Sequence, residues 1–362
     1  MKNLVLQRFE ELAPRLNGFD AIIDVRSPSE YADDHIPGAI NCPVLSDAER
    51  VHVGTLYKQD AFEAKKVGAA IAARNIAGYI DTLFHDKPRE WTPLVYCWRG
   101  GNRSGSMAHI FAKIGWQVTQ LDGGYKSYRH FVLHDLEKQP AGLRLFSVCG
   151  ATGTGKSRLL RALEASGSQA LDLEAIACHK GSVLGEMDSV PQPPQKLFES
   201  NLWAKLRSLD RSRPVYVESE SKKIGNLRVP EILMLAMRQA PCIELRLARE
   251  DRIRLLLDEY DFFLHDPERL KANLRRLIKV HGNAVISEWE ALVDGGNWDE
   301  LVATLLDKHY DPAYATSIRR NYLRFGDARK LAIKGWSEEF FLEAARALRA
   351  EEKAGEPASS SI

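Results

Sequence analysis

Two short loops in this chain contain residues that could bind and transfer charged groups. Residues 97–104 (CWRGGNRS) follow the apolar run 94–96, and residues 150–157 (GATGTGKS) follow the strand-like run 145–149. The first loop places a cysteine among glycines and arginines, an environment that favours a reactive thiolate. The second loop matches the phosphate-binding pattern G-x-x-x-x-G-K-[ST]. Together they predict an enzyme that transfers sulfur, or a heavier relative of sulfur, with the help of a phosphorylated substrate.

The cysteine loop offers the positive surroundings that a nucleophilic thiolate needs. A free cysteine titrates at about 8.5, so charge or amide dipoles must lower its pKa. Arg99 and Arg103 supply charge, and the two glycines at 100–101 allow backbone amides to turn inward. A helix predicted over 104–114 would point its N-terminus at the sulfur. We therefore predict catalytic roles for Cys97, Arg99 and Arg103, rather than a buried structural cysteine beside a glycine turn.

The second loop is predicted to hold a diphosphate at the N-terminus of a helix over 156–165. Lys156 would neutralise the terminal phosphate, and Ser157 would hold Mg²⁺ if a metal is used. No guanine-reading N-K-x-D motif occurs, and nothing specifies adenine. The predicted phosphate-binding residues are Gly150, Thr152, Gly153, Thr154, Gly155, Lys156 and Ser157.

Acidic residues stand at the ends of the next two predicted strands. Asp172 and Glu174 close the strand over 169–173, and Glu218 and Glu220 close the next one. Carboxylates in these places would lie beside the phosphates, where they hold Mg²⁺, position water or accept a proton. Solvated strand ends are the alternative.

Four arginines lie in and after the fourth predicted strand, over 243–247, and resemble the lid arginines of small-molecule kinases. A solvated helix face is again the alternative. They are Arg246, Arg249, Arg252 and Arg254.

Apolar runs alternate with helical spacing in two stretches separated by the linker-like residues 138–142 (KQPAG). This alternation predicts parallel sheets with helices on their faces, an α/β fold class. After residue 266 the spacing is helical, no further strand is predicted, and turns are expected at 295–296 and 311–312. The predicted regions are a parallel-sheet domain over 1–138, a P-loop α/β domain over 143–266, a helical region over 267–350 and a disordered tail over 351–362.

The composition limits the classes of function. The chain has 362 residues and a formal net charge of +1, so nucleic-acid binding would have to depend on a local patch. Its five cysteines show neither disulfide nor metal spacing, which is typical of a reducing compartment, and we expect a cytoplasmic protein. Neither a signal peptide nor a membrane span is expected.

Three segments of the first domain resemble the rhodanese family. They are residues 24–31 (DVRSPSEY), 35–41 (HIPGAIN) and 121–125 (LDGGY). The resemblance implies a rhodanese-like fold in which Cys97 carries sulfur as a persulfide. Asp24, Arg26 and His35 are expected to tie the sheet to the loop.

The length of the cysteine loop departs from the rhodanese pattern. Cys97 and Arg103 have the C-x5-R spacing of cysteine phosphatases, and a longer loop would fit a larger tetrahedral anion than the usual sulfur donors.

A rhodanese domain ahead of a P-loop domain resembles the bacterial tRNA 2-selenouridine synthases over nearly the whole chain. Further matching segments are residues 172–174, 179–182, 216–225 and 309–314. The family often has arginine where Lys180 stands, so a bidentate phosphate contact is not expected there.

The resemblance implies two reactions at the wobble 2-thiouridine of lysine, glutamate and glutamine tRNAs. Geranyl diphosphate would first alkylate the sulfur, and selenophosphate, from an enzyme that supplies it, would then provide selenium as the geranylated sulfur leaves. No tightly bound cofactor is implied, and Mg²⁺ is an option.

A basic stretch near the C-terminus is the predicted tRNA contact. Arg319, Arg320 and Arg324 would bind backbone phosphates, and Tyr322 and Phe325 interleave with them and could stack on unpaired bases. An ordinary charged helix face is the alternative.

Two other classes of function fit the motifs. The C-x5-R spacing and the lid-like arginines would suit a cysteine phosphatase fused to a small-molecule kinase. Alternatively, a regulator without catalytic activity could sense a nucleotide at the P-loop and bind a partner through its rhodanese fold.

Overall fold

A computed structural model gives the structure of the chain, which divides into two compact units. The first unit comprises residues 1–136 and 193–204, and the second comprises residues 137–192 and 205–362. The residues that the structure describes are 3–182, 184–185 and 190–355.

The first unit is built on a five-stranded parallel sheet in the order β1-β5-β4-β2-β3. The apolar run of β4 lies at the centre and is buried along its whole length, as a strand covered on both faces must be. The predicted strands at 21–25 and 94–96 are confirmed. The strands are β1 Leu4–Gln7, β2 Ala21–Asp24, β3 Ala39–Asn41, β4 Pro93–Tyr96 and β5 Val118–Leu121.

Helices connect these strands. The helix predicted over 104–114 is present and begins two residues earlier, directly after Gly101. The helices are α1 Phe9–Leu12, α2 Pro28–Asp33, α3 Asp47–Gln59, α4 Ala61–Thr82, α5 Asn102–Ile114 and α6 Gly124–Leu136, with a 3₁₀ turn at Ala13–Gly18. Residues 195–204 of the later helix Gln195–Ser208 also belong to this unit.

The second unit has a five-stranded parallel sheet in the order β12-β11-β6-β8-β7. Its central strand, β6, leads into the P-loop. The prediction that strands stop after residue 266 is wrong, because β12 pairs in register with β11 at the sheet edge. The strands of this sheet are β6 Arg144–Cys149, β7 Gln169–Leu171, β8 Pro214–Glu218, β11 Cys242–Arg246 and β12 Arg329–Ala332. Strands β9 Lys223–Ile224 and β10 Leu227–Arg228 pair with each other in a separate antiparallel sheet.

The helices of the second unit cover this sheet and continue as a helical subdomain. The helices are α7 Lys156–Ala165, α8 Leu173–Ala177, α9 Gln195–Ser208, α10 Glu231–Gln239, α11 Arg249–Glu259, α12 Phe262–His265, α13 Pro267–Arg275, α14 Ile278–Asp294, α15 Trp298–Leu305, α16 Asp311–Asn321 and α17 Glu338–Gly355. A π-helical turn at Leu306–Tyr310 joins α15 to α16, and a 3₁₀ turn lies at Phe325–Asp327.

Two of the predicted irregular segments are helical instead. Asp311 and Pro312 begin α16, where proline suits the first turn because its missing N–H has no helical partner to lose. The first residues of the predicted disordered tail, 351–355, extend α17, while residues 356–362 lie outside the part of the chain that the structure describes. Within the described part, no helix is long and apolar enough to span a membrane.

Candidate functional site

Cys97 is the first residue after β4 and is 3% exposed. Ser104, in the first turn of α5, donates its hydroxyl to Cys97 Sγ at 3.3 Å. Gly101 precedes the helix with φ of 76°, a conformation that glycine adopts without strain. The backbone N–H groups of residues 98–101 donate no hydrogen bond to a residue that the structure describes. These unpaired amides and the helix N-terminus adjoin the sulfur and form a nest that would suit an anion.

The Gly123-Gly124 element supports this loop through backbone contacts. The amide of Tyr125 donates to Cys97 O at 2.7 Å, and the amide of Lys126 donates to Trp98 O at 3.1 Å. Gly124 has φ of 58°, and a Cβ built on it would collide with Cys97 O. Only glycine lets the two segments approach so closely.

A buried ionic network lies behind the loop. The guanidinium of Arg26, which is 1% exposed, donates to Asp24 Oδ2 at 2.6 Å and to Asp34 O at 2.5 Å, and it stacks over the ring of Tyr125. Tyr125 in turn donates its hydroxyl to Asp34 Oδ2 at 2.8 Å. Burial raises the pKa of the Asp34 carboxyl. Asp24 and Arg26 thus support the loop, in the structural role expected of them.

The two loop arginines differ in their surroundings. Arg99 is exposed, whereas Arg103 makes a bidentate pair with Glu30, with Nη1 to Oε2 at 2.7 Å and Nη2 to Oε1 at 3.2 Å. Glu30 also caps α2 by accepting from the amide of Ser27. The carboxylate therefore offsets much of the charge that Arg103 would bring to a bound anion, an interaction that the sequence analysis did not predict.

The P-loop connects β6 to α7. Gly153 and Gly155 have φ of 78° and 82°, and Cβ atoms at these positions would meet Leu256 and Phe341. The loop is thus closely packed against neighbouring side chains, and its amides lie at the start of α7. Lys156 Nζ donates to Gly150 O at 2.9 Å, so its ammonium group spans the loop that a diphosphate would occupy.

Carboxylates lie beside the P-loop as predicted, but Asp172 and Glu174 were wrongly predicted to close a strand, since Glu174 lies in α8. Strand β7 ends at Leu171, and Asp172 caps α8 by accepting from the amide of Ala175 at 2.7 Å. Asp172 therefore holds a helix and does not close a strand. Its short polar side chain suits an N-cap, and that local bond ends the strand early.

Ser157, in the first turn of α7, donates its hydroxyl to Glu174 Oε2 at 2.7 Å. A Cβ at Gly181 would lie 2.9 Å from Glu220 Oε1 and 3.0 Å from Glu174 Oε1, so both carboxylates border that glycine. Glu218 is fully buried and accepts from the amide of Glu174 at 3.0 Å.

Burial and mutual repulsion give these acids unusual pKa values. Burial raises the pKa of Glu174, and burial with the charges of neighbouring acids raises the pKa of Glu218. Burial and the nearby Glu174 raise the pKa of Glu220 to about 8. At neutral pH Glu220 therefore holds a proton, which reduces its repulsion of an anionic ligand.

A P-loop fold implies Mg²⁺, and the donor atoms here suit that ion. The Ser157 hydroxyl and the Glu174 carboxylate are adjacent oxygen donors, the type that Mg²⁺ prefers together with substrate phosphates. Among residues 3–182, 184–185 and 190–355, no cluster of three or more His, Cys, Asp or Glu side chains could hold a metal by itself. A metal here would depend on phosphate oxygens for its remaining ligands.

A cavity of about 410 Å³ opens above the P-loop. Helix α16 forms one wall, with Tyr314, Ser317 and Asn321 on the side that faces the cavity. Of the four lid-like arginines, Arg252 reaches the P-loop: its Nε donates to Thr152 O at 2.9 Å, and its Nη2 donates to Asp311 Oδ1 at 2.6 Å. Arg246, Arg249 and Arg254 make ion pairs with acidic side chains instead.

An apolar pocket adjoins this cavity. The two share Thr152, Ser182, Leu256, Tyr260 and Tyr310, and the apolar pocket continues between α11, α12 and α15. Its deeper wall is aliphatic and aromatic: Phe263, Leu264, Leu270, Trp298, Leu301 and Val302. Sequence reasoning missed this pocket because its lining has the same helical periodicity as an ordinary core.

The predicted RNA-contacting residues lie at and after the end of α16. Arg319, Arg320 and Arg324 are exposed and do not line the cavity. Tyr322 is 4% exposed and donates its hydroxyl to Glu220 O at 3.1 Å, so the prediction that it could stack on a base is wrong. Phe325 is half-buried.

The folds and the two loops define a two-part enzyme class, a rhodanese-like domain joined to a P-loop domain. Residues 8–130 match the family model of the rhodanese-like domain. Residues 143–273 match the model described as the tRNA 2-selenouridine synthase AAA domain.

Full-length relatives give the particular family. A tRNA 2-selenouridine synthase of Sulfurovum sp. (strain NBC37-1) is 30% identical, with the match covering 88% of this chain and 92% of the relative. Synthases of Bdellovibrio bacteriovorus and Bordetella petrii are 34% and 32% identical, with matches covering 83% and 84% of this chain and 90% and 88% of the relatives. This chain belongs to the tRNA 2-selenouridine synthase family.

The raised pKa of Glu220 predicts that anion binding at the P-loop depends on pH. A bound diphosphate favours the neutral form of Glu220, so affinity should fall as pH rises through about 8, where Glu220 loses its proton. Between pH 7 and pH 9, without Mg²⁺, the wild-type protein should lose about tenfold more affinity for inorganic diphosphate than Glu220→Gln does. Titration calorimetry in EDTA measures this. Equal losses in both proteins would show that Glu220 does not titrate in this range.

Proposed function

We propose that this protein modifies tRNA by replacing sulfur with selenium in wobble 2-thiouridine. Geranyl diphosphate first alkylates the sulfur, and selenophosphate then provides selenium. Membership of the family supports the action on tRNA and the selenouridine product. The lysine, glutamate and glutamine tRNAs, the enzyme that supplies selenophosphate and a cytoplasmic location are further parts of the proposal.

The apolar pocket beside the P-loop cavity is the observation that carries the alkylation step. A prenyl diphosphate has a diphosphate head and a hydrocarbon tail joined at the reacting carbon. The amides of Gly153 and Gly155 and the ammonium of Lys156 suit the head, and the pocket between α11 and α15 suits the tail. A nucleoside triphosphate would instead need a polar base and sugar site where the aliphatic lining lies.

Alkylation transfers the prenyl group without ATP hydrolysis. The thiouridine sulfur bonds to the first carbon of the prenyl chain, the carbon–oxygen bond breaks, and diphosphate leaves with the electron pair. The base loses one proton. Lys156 and the loop amides stabilise the charge that builds on the departing diphosphate. Mg²⁺ held by Ser157 and Glu174 would add positive charge at the same place.

The selenium step is assigned to the loop around Cys97. Its free amides suit the tetrahedral anion selenophosphate, whose phosphorus the Cys97 thiolate would attack. The phosphorus–selenium bond breaks, and hydroselenide leaves with the electron pair and displaces geranylthiol from C2 of the base. Water then releases phosphate from Cys97. The net reaction converts geranylated thiouridine, selenophosphate and water into selenouridine, geranylthiol and phosphate, with no net oxidation. The phosphatase alternative is disfavoured because its loop arginine should face the anion, whereas Arg103 is paired with Glu30.

Mass spectrometry of tRNA nucleosides from cells with and without this protein tests the proposed function. The proposal expects selenouridine in cells that contain the protein and unmodified thiouridine in cells that lack it. Identical nucleosides in both strains would contradict it.

Cys97→Ser should lose selenium incorporation and keep geranyl transfer. A serine hydroxyl is not ionised at neutral pH and cannot replace the thiolate as nucleophile, whereas alkylation needs only the P-loop unit and the thiouridine. Product analysis of a thiouridine RNA treated with geranyl diphosphate, with or without selenophosphate, measures both steps. Cys178→Ser, which changes a half-buried cysteine in the other unit, is the matched control and should keep both. Wild-type selenouridine formation by Cys97→Ser would exclude a role for Cys97 in the selenium step.

Val302→Phe should shorten the apolar pocket and change its preference among prenyl chains. The larger ring would occupy space that the second isoprene unit needs, so geranyl transfer should fall by about tenfold or more while dimethylallyl transfer is retained. Competition between the two diphosphates measures this preference. Val280→Phe, at a site that is 67% exposed, is the control. An unchanged preference would mean that the tail binds elsewhere.

Replacing Arg319, Arg320 and Arg324 with alanine should weaken tRNA binding and its dependence on salt. Each lost phosphate contact lowers the slope of log affinity against log salt by about 0.7–0.9, so a change of about one to two units is expected. Binding titrations at several salt concentrations measure it. A triple variant at exposed arginines elsewhere (Arg74, Arg89 and Arg346) is the control, and an equal change in both would refute a specific role for this patch.

A further inference from the structure

Arg238 lies in the last turn of α10 and lines the P-loop cavity. Its Nε is fully buried and has no hydrogen-bond partner. Within the described part of the chain, its guanidinium forms no ion pair with any carboxylate, although Glu174, Glu220 and Glu259 line the same cavity. Arg238 was not singled out by any sequence motif.

The other cations of the cavity are engaged. Lys156 Nζ donates to Gly150 O, and Lys180 Nζ donates to Glu259 O at 2.6 Å. Lys222 Nζ forms an ion pair with Glu231 Oε1 at 3.7 Å. Leaving a guanidinium nitrogen buried and unbonded costs free energy, because water is lost and nothing replaces it. A ligand with an anionic oxygen would satisfy this group, and Arg238 has the planar fork that suits phosphate.

The position of Arg238 indicates which ligand this is. The apolar pocket meets the cavity at Thr152, Ser182, Leu256, Tyr260 and Tyr310, and Arg238 is not part of that shared wall. It lies near Tyr322, whose neighbour Leu323 donates its amide to Arg238 O at 3.1 Å. With the tail in the pocket and the diphosphate on the P-loop, the acceptor must enter along the remaining polar wall, which Arg238 borders.

The same wall leads to a basic surface. Ser317 and Asn321 of α16 line the cavity, whereas Arg319 and Arg320 of the same helix are exposed to solvent. An RNA held by the exposed arginines would therefore reach the cavity around the end of this helix.

We propose that Arg238 binds a backbone phosphate of the RNA next to the nucleotide that is alkylated. This inference rests on the proposed function, because it takes an RNA nucleotide as the acceptor. Arg238 fixes the acceptor sulfur against the first carbon of the prenyl chain and does not contribute to binding of the diphosphate.

The test compares Arg238→Gln with the wild-type protein in two assays. One is geranyl transfer to a thiouridine-containing anticodon stem-loop, which gives KM for RNA and kcat; the other is titration with inorganic diphosphate. Loss of a charged hydrogen bond should raise KM for RNA by about tenfold or more. The Kd for diphosphate should stay within twofold. Arg238→Lys should restore part of the RNA affinity, and Arg346→Gln, an exposed arginine of α17, should change nothing.

Two results would overturn the inference. A weaker diphosphate Kd with unchanged KM for RNA would assign Arg238 to the diphosphate, and no change in either would leave it without a ligand role. If Arg238→Gln fails to fold, it will also lose diphosphate binding. The KM of Arg238→Lys for RNA then tests the inference instead. Failure of the proposed function has a separate signature: a wild-type protein that does not alkylate thiouridine RNA. RNA binding, measured without chemistry, then still tests Arg238.

Discussion

Both sites depend on backbone amides left unpaired where a parallel strand passes through a glycine loop into a helix. Strand β4 leads into Cys97 and α5, and β6 leads into the P-loop and α7. The first amides of a helix have no helical partner, and the helix dipole makes that end positive. One constraint thus yields two amide-lined loops in one chain. In the proposed function, the Cys97 thiol of the first loop takes part in selenium transfer, and the Lys156 ammonium of the second loop neutralises the leaving diphosphate.

Each nest keeps its backbone conformation because the atoms packed on its glycines leave no room for a side chain there. Gly124 packs on the carbonyl of Cys97, and Gly153 and Gly155 pack on Leu256 and Phe341. Each loop is also faced by acids that moderate its charge. In the first unit Glu30 pairs with Arg103, and in the second burial and Glu174 raise the pKa of Glu220 to about 8. In the proposed function, an anion bound at either loop would therefore interact with a nearby carboxylate.

The sequence predicted the parts of this arrangement that short patterns encode. The strand, glycine loop and helix of each nest were located within two residues, because glycine, charge and apolar runs specify them locally. Long-range packing could not be predicted from the sequence. Strand β12 follows the helices α11 to α16, so only its pairing with β11 identifies it as a strand. Similarly, Arg238 looks like one more charged residue on an amphipathic helix, and Tyr322 looks like part of a surface patch until the fold buries it.

The central claim is that one chain performs two reactions in order, with the prenylated RNA as intermediate. Its direct measurement is the time course of nucleosides formed from a thiouridine-containing tRNA by the purified protein. With both substrates present, geranylated thiouridine should rise first and then decay as selenouridine appears. With selenophosphate alone, thiouridine should remain unchanged. Selenouridine formed from selenophosphate without any prenyl diphosphate would contradict the account, because the P-loop unit and its apolar pocket would then have no part in the exchange.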